Sequence, residues 1–196
     1  MFLDEEQLKK ILKWFERKIE SLERDAYRAF TDKIKIEHNL GKGTAPFPIV
    51  LFSMSTLDFF SAAYYGYSEK KNTKSRVSQT KRMIEFLKRY LNYDPTVSKV
   101  AIDVFRHKLV HLAEPFCSNK GVIGWSISSR ESDDRHWTIK DFNRKGDKAV
   151  YFGVDNFIRH LRSGVLGNTG YYQDLSQNID LQNKYLLFFN EVNSQS

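Results

Sequence analysis

The sequence predicts a mainly α-helical protein: an antiparallel four-helix bundle over residues 1–115, then a small β-hairpin and C-terminal helices over residues 116–196 that pack on the bundle as one compact unit. Three observations carry that expectation. Apolar residues recur at three-and-four spacing through the first part of the chain. Helix start and stop signals, Asp94-Pro95 and Pro115, frame a later segment. After Pro115 the pattern changes to two-residue alternation, the period of strands. The length, 196 residues, suits one domain. With 41% hydrophobic and 28% charged residues, the chain is too apolar for disorder and too charged for a membrane bundle.

The first helix is expected from Asp4 to about Lys35, its buried stripe formed by Leu8, Ile11, Leu12, Phe15, Ile19, Leu22, Ala26 and Phe30. Two Gly and two Pro in residues 38–48 mark a loop, and Pro48 suits the first turn of a second helix reaching about Tyr67. That helix is apolar all round and should therefore be central. A third helix is expected from Ser78 to Asn92. The fourth starts with Asp94 as N-cap and Pro95 at the first helical position, and Pro115 ends it after Glu114. Alternation over Ile123–Ile127 and His136–Lys140 reads as a hairpin, which the run Ala149–Val154 is able to join. Asp155 is expected to cap a helix through Leu161, and residues 181–192 to form a terminal helix.

Charge and cysteine content narrow the function classes. A net charge of +7 and a pI near 9.3 favour polyanionic partners. The single cysteine, Cys117, leaves no intrachain disulfide and no cysteine cluster for zinc or iron–sulfur, which suits a reducing cytoplasm. Acidic residues from Asp4 onward do not fit a signal peptide. The apolar run Phe47–Tyr65 holds Pro48, Ser53, Ser55, Thr56 and Asp58, so a buried helix rather than a membrane span is expected.

The residues with most chemistry lie late in the fourth helix, in FRHKLVHLAEP (residues 105–115). On an ideal α-helix His107 and His111 share a face, whereas Arg106 and His111 diverge by about 140 degrees. Arginine offers a permanent charge matched to phosphate oxygens, and histidine titrates near neutrality, so Arg106 and His111 together suit clamping a phosphodiester and moving its protons without a metal or cofactor. A plainer reading has these cations stabilise a helix C-terminus. A metal reading would pair His107 and His111 with Glu114 or Cys117, a poor donor set.

The segment resembles the HEPN superfamily of helical ribonucleases and toxins, whose signature is an Arg, often followed by a polar residue, with a His a few positions on. Arg106, His107 and His111 fit that signature, and the preceding three helices fit the arrangement, so the resemblance covers about residues 1–115. It implies a homodimer with two motif copies facing across a cleft, and metal-independent RNA cleavage in a toxin or phage-defence setting, with an antitoxin as a further partner. On that expectation His111 is the general base on the ribose 2′-hydroxyl, Arg106 stabilises the transition-state charge, and His107 assists. Members regulated by nucleotidyltransferase antitoxins often carry Tyr two residues past the His; here Ala113 stands there. The alternatives are a non-catalytic RNA-binding or protein-interaction module, or a structural dimer.

Two further features complete the reading. Asp58 is the only formal charge from Gly43 to Ser68, and a carboxylate in an apolar helix needs a partner; Arg106 or a helix-four histidine is the expected one, with a place at the helix rim the alternative. Lys70, Lys71, Lys74, Arg76, Lys81, Arg82, Lys88 and Arg89 form a basic strip opposed only by Glu69 and Glu85. It is expected to bind RNA phosphates, with Tyr64, Tyr65, Tyr67 or Tyr90 available to stack on bases, unless it is simply a solvated face. His38, His136 and His160 fall in separate segments and form no evident constellation, and Arg135, His136 and Trp137 are expected to pack.

Overall fold

The computed structural model describes residues 2–31, 46–66, 77–109, 122–128, 134–141 and 147–193. Over these the protein is mainly helical with one small mixed sheet. Helix α1 spans Glu5–Thr31. It opens with a capping box in which the Gln7 amide donates to Asp4 Oδ1 (2.7 Å) and the Asp4 amide donates to Gln7 Oε1 (3.0 Å). Of its expected stripe Ile11, Phe15, Ile19, Leu22 and Ala26 are buried, Phe15, Ile19 and Leu22 wholly so, while Leu8 and Leu12 are half-buried.

Helix α2, Pro46–Tyr65, packs against α1 and occupies the centre. Among the described residues it is the one helix long and apolar enough to cross a membrane, yet more than half of it is buried by neighbouring elements. Its buried Ser and Thr hydroxyls are satisfied on the helix itself: Ser53 donates to the Ile49 carbonyl (2.8 Å), Thr56 to the Phe52 carbonyl (2.9 Å) and Ser61 to the Asp58 carbonyl (2.9 Å). Polar side chains on a buried helix therefore cost little.

Helix α3, Gln79–Phe86, starts at Ser78, whose hydroxyl accepts the Lys81 amide (3.3 Å), and continues as a π-helical turn over Leu87–Leu91. Asn92 ends it in the left-handed region at φ 56°, a conformation Asn tolerates. Helix α4, Pro95–Ile102, begins as expected, with Asp94 Oδ1 accepting the amides of Thr96 (2.8 Å) and Val97 (2.9 Å). It too continues as a π-helical turn, over Asp103–Lys108. The expected end at Glu114 lies outside the described residues.

The expected hairpin is not formed. Strands β1 (Val122–Ser128) and β2 (Thr138–Asp141) both pair with β3 (Lys148–Gly153), in the order β1-β3-β2. The β1–β3 pair is parallel, with Trp125 opposite Val150, and the β2–β3 pair is antiparallel, with Ile139 opposite Val150. Residues Ala149 to Gly153 are buried throughout, so the most apolar run takes the middle. Two-residue alternation identifies a strand; it does not name its neighbour.

Helix α5, Val154–Leu166, follows β3 directly. Gly153, not Asp155, is its N-cap, and the helix runs beyond the expected Leu161. A short α6, Tyr171–Gln177, leads into α7, Ile179–Asn193, where Asn178 Oδ1 accepts the amides of Asp180 (2.9 Å) and Leu181 (3.2 Å). The C-terminal helices are integral to one core: α5 packs on α1 and α7 on α2, while Phe15, Phe60, Phe86 and Tyr171 meet as fully buried rings. Gln182, wholly buried, accepts the Leu3 amide (2.8 Å) and donates to the Leu175 carbonyl (3.1 Å), fastening the start of the chain to its end.

At Gly164, α5 passes so close to the π turn that a Cβ would stand 2.7 Å from the Tyr90 carbonyl oxygen and 2.8 Å from Leu91 Cδ1. Gly164→Ala should therefore cost about 1–3 kcal/mol through overpacking. Urea unfolding checks this: the midpoint should fall with the slope unchanged.

Candidate functional site

The first turn of α3 brackets residues from two other helices. On one side the Asp58 carboxylate of α2 accepts a hydrogen bond from Gln79 Nε2 and faces Arg82, whose Nη2 lies 3.4 Å from Oδ1. On the other, Thr80 Oγ1 is 3.0 Å from Nε2 of His107 on α4. Gln79, Thr80 and Arg82 thus link the singular carboxylate of α2 to the motif segment of α4. Among the described residues the cation beside Asp58 is Arg82 and not the expected Arg106 or His107; His111, the other expected partner, lies outside them. Although α2 does pack beside the π turn of α4, the nearer cation is Arg82, one helix away.

This pairing also removes Arg82 from the basic strip. Its side chain is 6% exposed against 25% for Asp58, so it neutralises an internal carboxylate and is not presented to an RNA backbone. Lys81 is exposed and lies 3.9 Å from Glu85 in an i, i+4 pair. Lys70, Lys71, Lys74 and Arg76 lie outside the described residues. The tyrosines expected to stack on bases are engaged elsewhere. Tyr64 and Tyr90 pack on one another (5.7 Å between centroids) and on Tyr171, and Tyr65 packs on Tyr64 (5.3 Å); Tyr67 lies outside the described residues. Burial raises the Tyr90 hydroxyl well above its ordinary range, and that hydroxyl donates to Asp174 (3.1 Å), which also holds Arg89 at 2.7 Å.

Arg106 and His107 both sit in the π-helical turn, partly exposed, while Val104 and Phe105 of the same turn and Leu109 just after it are buried in the core. A π turn closes hydrogen bonds between residues five apart, so Arg106 and His107 do not sit on an ideal α-helix. His111, Glu114 and Cys117 lie outside the described residues. Among the described residues no three His, Cys, Asp or Glu side chains gather as metal ligands would.

A second cluster escaped the sequence reading. His136, before β2, and His160, on α5, converge on Tyr93 of the α3–α4 turn, with Tyr93 Oη 2.7 Å from His136 Nε2 and 2.8 Å from His160 Nδ1. These residues are 43 and 67 positions apart from Tyr93, beyond any spacing rule. Trp137 beside them is 5% exposed, so the expectation of packing holds for it, and Arg135 lies over the Tyr151 ring at 4.9 Å. Compared with known proteins, the chain matches no family model, no curated protein and no solved structure.

The Asp58–Arg82 pair yields a stability prediction. Asp58→Ala leaves a buried guanidinium without its carboxylate and should cost about 3 kcal/mol. Arg82→Met in the same background should recover part of that, because an apolar chain then replaces a buried charge. A double-mutant cycle by chemical unfolding reads the coupling, and strictly additive losses would show that the pair does not interact.

Proposed function

We propose that the protein is a metal-independent endoribonuclease of HEPN type, a toxin or phage-defence effector acting as a homodimer. One observation supports the reading most: Arg106 and His107 share a π-helical turn whose apolar side chains are buried, so the polar pair is presented, partly exposed, from a turn anchored in the core. π turns recur at functional sites because they re-aim side chains.

In the proposed reaction His111 takes the 2′-hydroxyl proton and the 2′ oxygen attacks the adjacent phosphorus. The bond to the 5′ oxygen breaks, that oxygen regains a proton, and the other product carries a 2′,3′-cyclic phosphate. Arg106 offsets the charge that builds on the phosphoryl oxygens. His107, with Nε2 engaged by Thr80, is a positioning residue. Dimerisation would set Arg106 of one protomer beside the motif of the other, and an antitoxin is a further proposed partner.

RNA should be cleaved by purified protein in the presence of chelator, and DNA, lacking the attacking hydroxyl, should be bound without being cut. His111→Ala should lower the rate by about 10² to 10⁴-fold with the fold preserved. Arg106→Ala should fall comparably and His107→Ala less. Full activity in the His111 variant, or loss with chelator, would falsify the mechanism, whereas binding without turnover of any RNA would make the protein a docking module.

Replacing Lys70, Lys71, Lys74 and Arg76 by Gln should weaken RNA binding for all sequences alike and flatten its salt dependence. An unchanged slope in a binding titration would make the strip a solvated face.

A further inference from the structure

The cluster around Tyr93 has a fixed order of protons. The Gly153 amide donates to Nδ1 of His136 (2.9 Å), so that nitrogen is an acceptor and the neutral ring carries its proton on Nε2. Nε2–H then donates to Tyr93 Oη, which leaves the tyrosine hydroxyl to donate to Nδ1 of His160. One backbone amide thus sets the direction of three successive bonds. They tie the start of α5, the turn before β2, the α3–α4 turn and the middle of α5 together.

The local backbone is held under strain to build this chain. Trp137, next to His136, has φ 56°, a left-handed conformation that costs a bulky residue about 1–3 kcal/mol. It is kept there by its amide donating to the Tyr151 carbonyl (2.8 Å) and its Nε1 donating to Ser98 Oγ on α4 (2.9 Å). Close approach matters at Gly153, where a Cβ would stand 3.0 Å from Asn156 Oδ1 and 3.3 Å from His136 Cβ.

We propose that Tyr93, His136 and His160 form a proton-operated latch, closed while His160 is neutral and opened by a proton on His160. A proton on Nδ1 would make His160 a donor to the hydroxyl that now donates to it. Tyr93 would then receive from both rings, and its own proton would lose its acceptor. The groups facing His160 are Tyr93 from the α3–α4 turn, His136 from the turn before β2 and Arg159 on its own helix; the α1 carboxylate Glu23 is taken by Arg162 (2.9 Å). No carboxylate bonds His160 among the described residues to reward its charge. Burial first, and then Arg159, lower its pKa below the ordinary 6.5.

The sign follows. The unfolded chain binds the proton more readily, so the stability the latch contributes is complete above pH 6.5 and is lost as pH falls through the lower folded value. Tyr93 immediately precedes the N-cap of α4, so opening the latch loosens the root of that helix.

The experiment is a nitrogen-15 NMR titration of the histidines from pH 8 to 5, with hydrogen exchange at Gly153 and thermal unfolding read alongside. His160 should appear as the Nε2–H tautomer and titrate below 6.5. Gly153 should lose protection, after correction for intrinsic rate, as His160 charges. His160→Asn, whose amide oxygen substitutes for Nδ1 as an acceptor without titrating, should keep Gly153 protected and remove the fall in Tm over that range. An Nδ1–H tautomer, a titration at or above 6.5, or an unchanged pH slope in His160→Asn would overturn the latch. If His160→Asn does not fold, the titration of the unaltered protein decides alone.

Discussion

Helix α2 must be covered on nearly every side, and that requirement organises the molecule. Between Ile49 and Tyr65 its side chains are buried or half-buried at every position but Ser55. A helix with one apolar stripe needs one neighbour; this one has α1, α3, α5, α7 and the π turn of α4 around it. Fully burying a ring or aliphatic side chain contributes about 1.5–3 kcal/mol. A partly exposed ion pair such as Arg162–Glu23, which ties α5 to α1, contributes about 1 kcal/mol at most. The enclosure of α2 therefore comes from apolar contact, and the ion pairs only trim its edges.

That enclosure explains why Asp58 determines so much locally. A carboxylate in the middle of such a helix cannot be left without a partner. The first turn of α3 supplies both an amide and a guanidinium, and the same turn presents Thr80 to His107 on the other side. The position of the motif helix relative to α2 is thus transmitted through polar contacts of α3.

Local signals in the sequence read well and long-range ones did not. The Asp94-Pro95 start follows from bonds within one turn and the α1 stripe from the helical period, so the residues announce them. Asp58 was visible as an anomaly because its neighbours are apolar, yet its partner was not. Arg82 looks like any member of a basic run until folding buries it. The hairpin failed for a related reason, since β1, β2 and β3 each alternate or run apolar and only the sheet decides which lies between the others. His136 and His160 gave no sign at all. Their meeting depends on the turn of Trp137 and on the entry of α5 straight from β3, which no spacing encodes.

Helix α4 is consequently held at two separated points, and Arg106 and His107 sit at the second of them. At its root, Ser98 binds Trp137 and the adjacent Tyr93 binds two histidines. Farther along, Val104 and Phe105 enter the core, and His107 meets Thr80. A rigid helix converts a small rotation at its root into displacement along its length. Here the buried Val104 and Phe105 of the π turn resist that displacement, because close-packed side chains leave little room to shift. The polar contacts at the root and the apolar contacts of the π turn therefore fix two ends of one continuous helical segment, the one that carries Arg106 and His107.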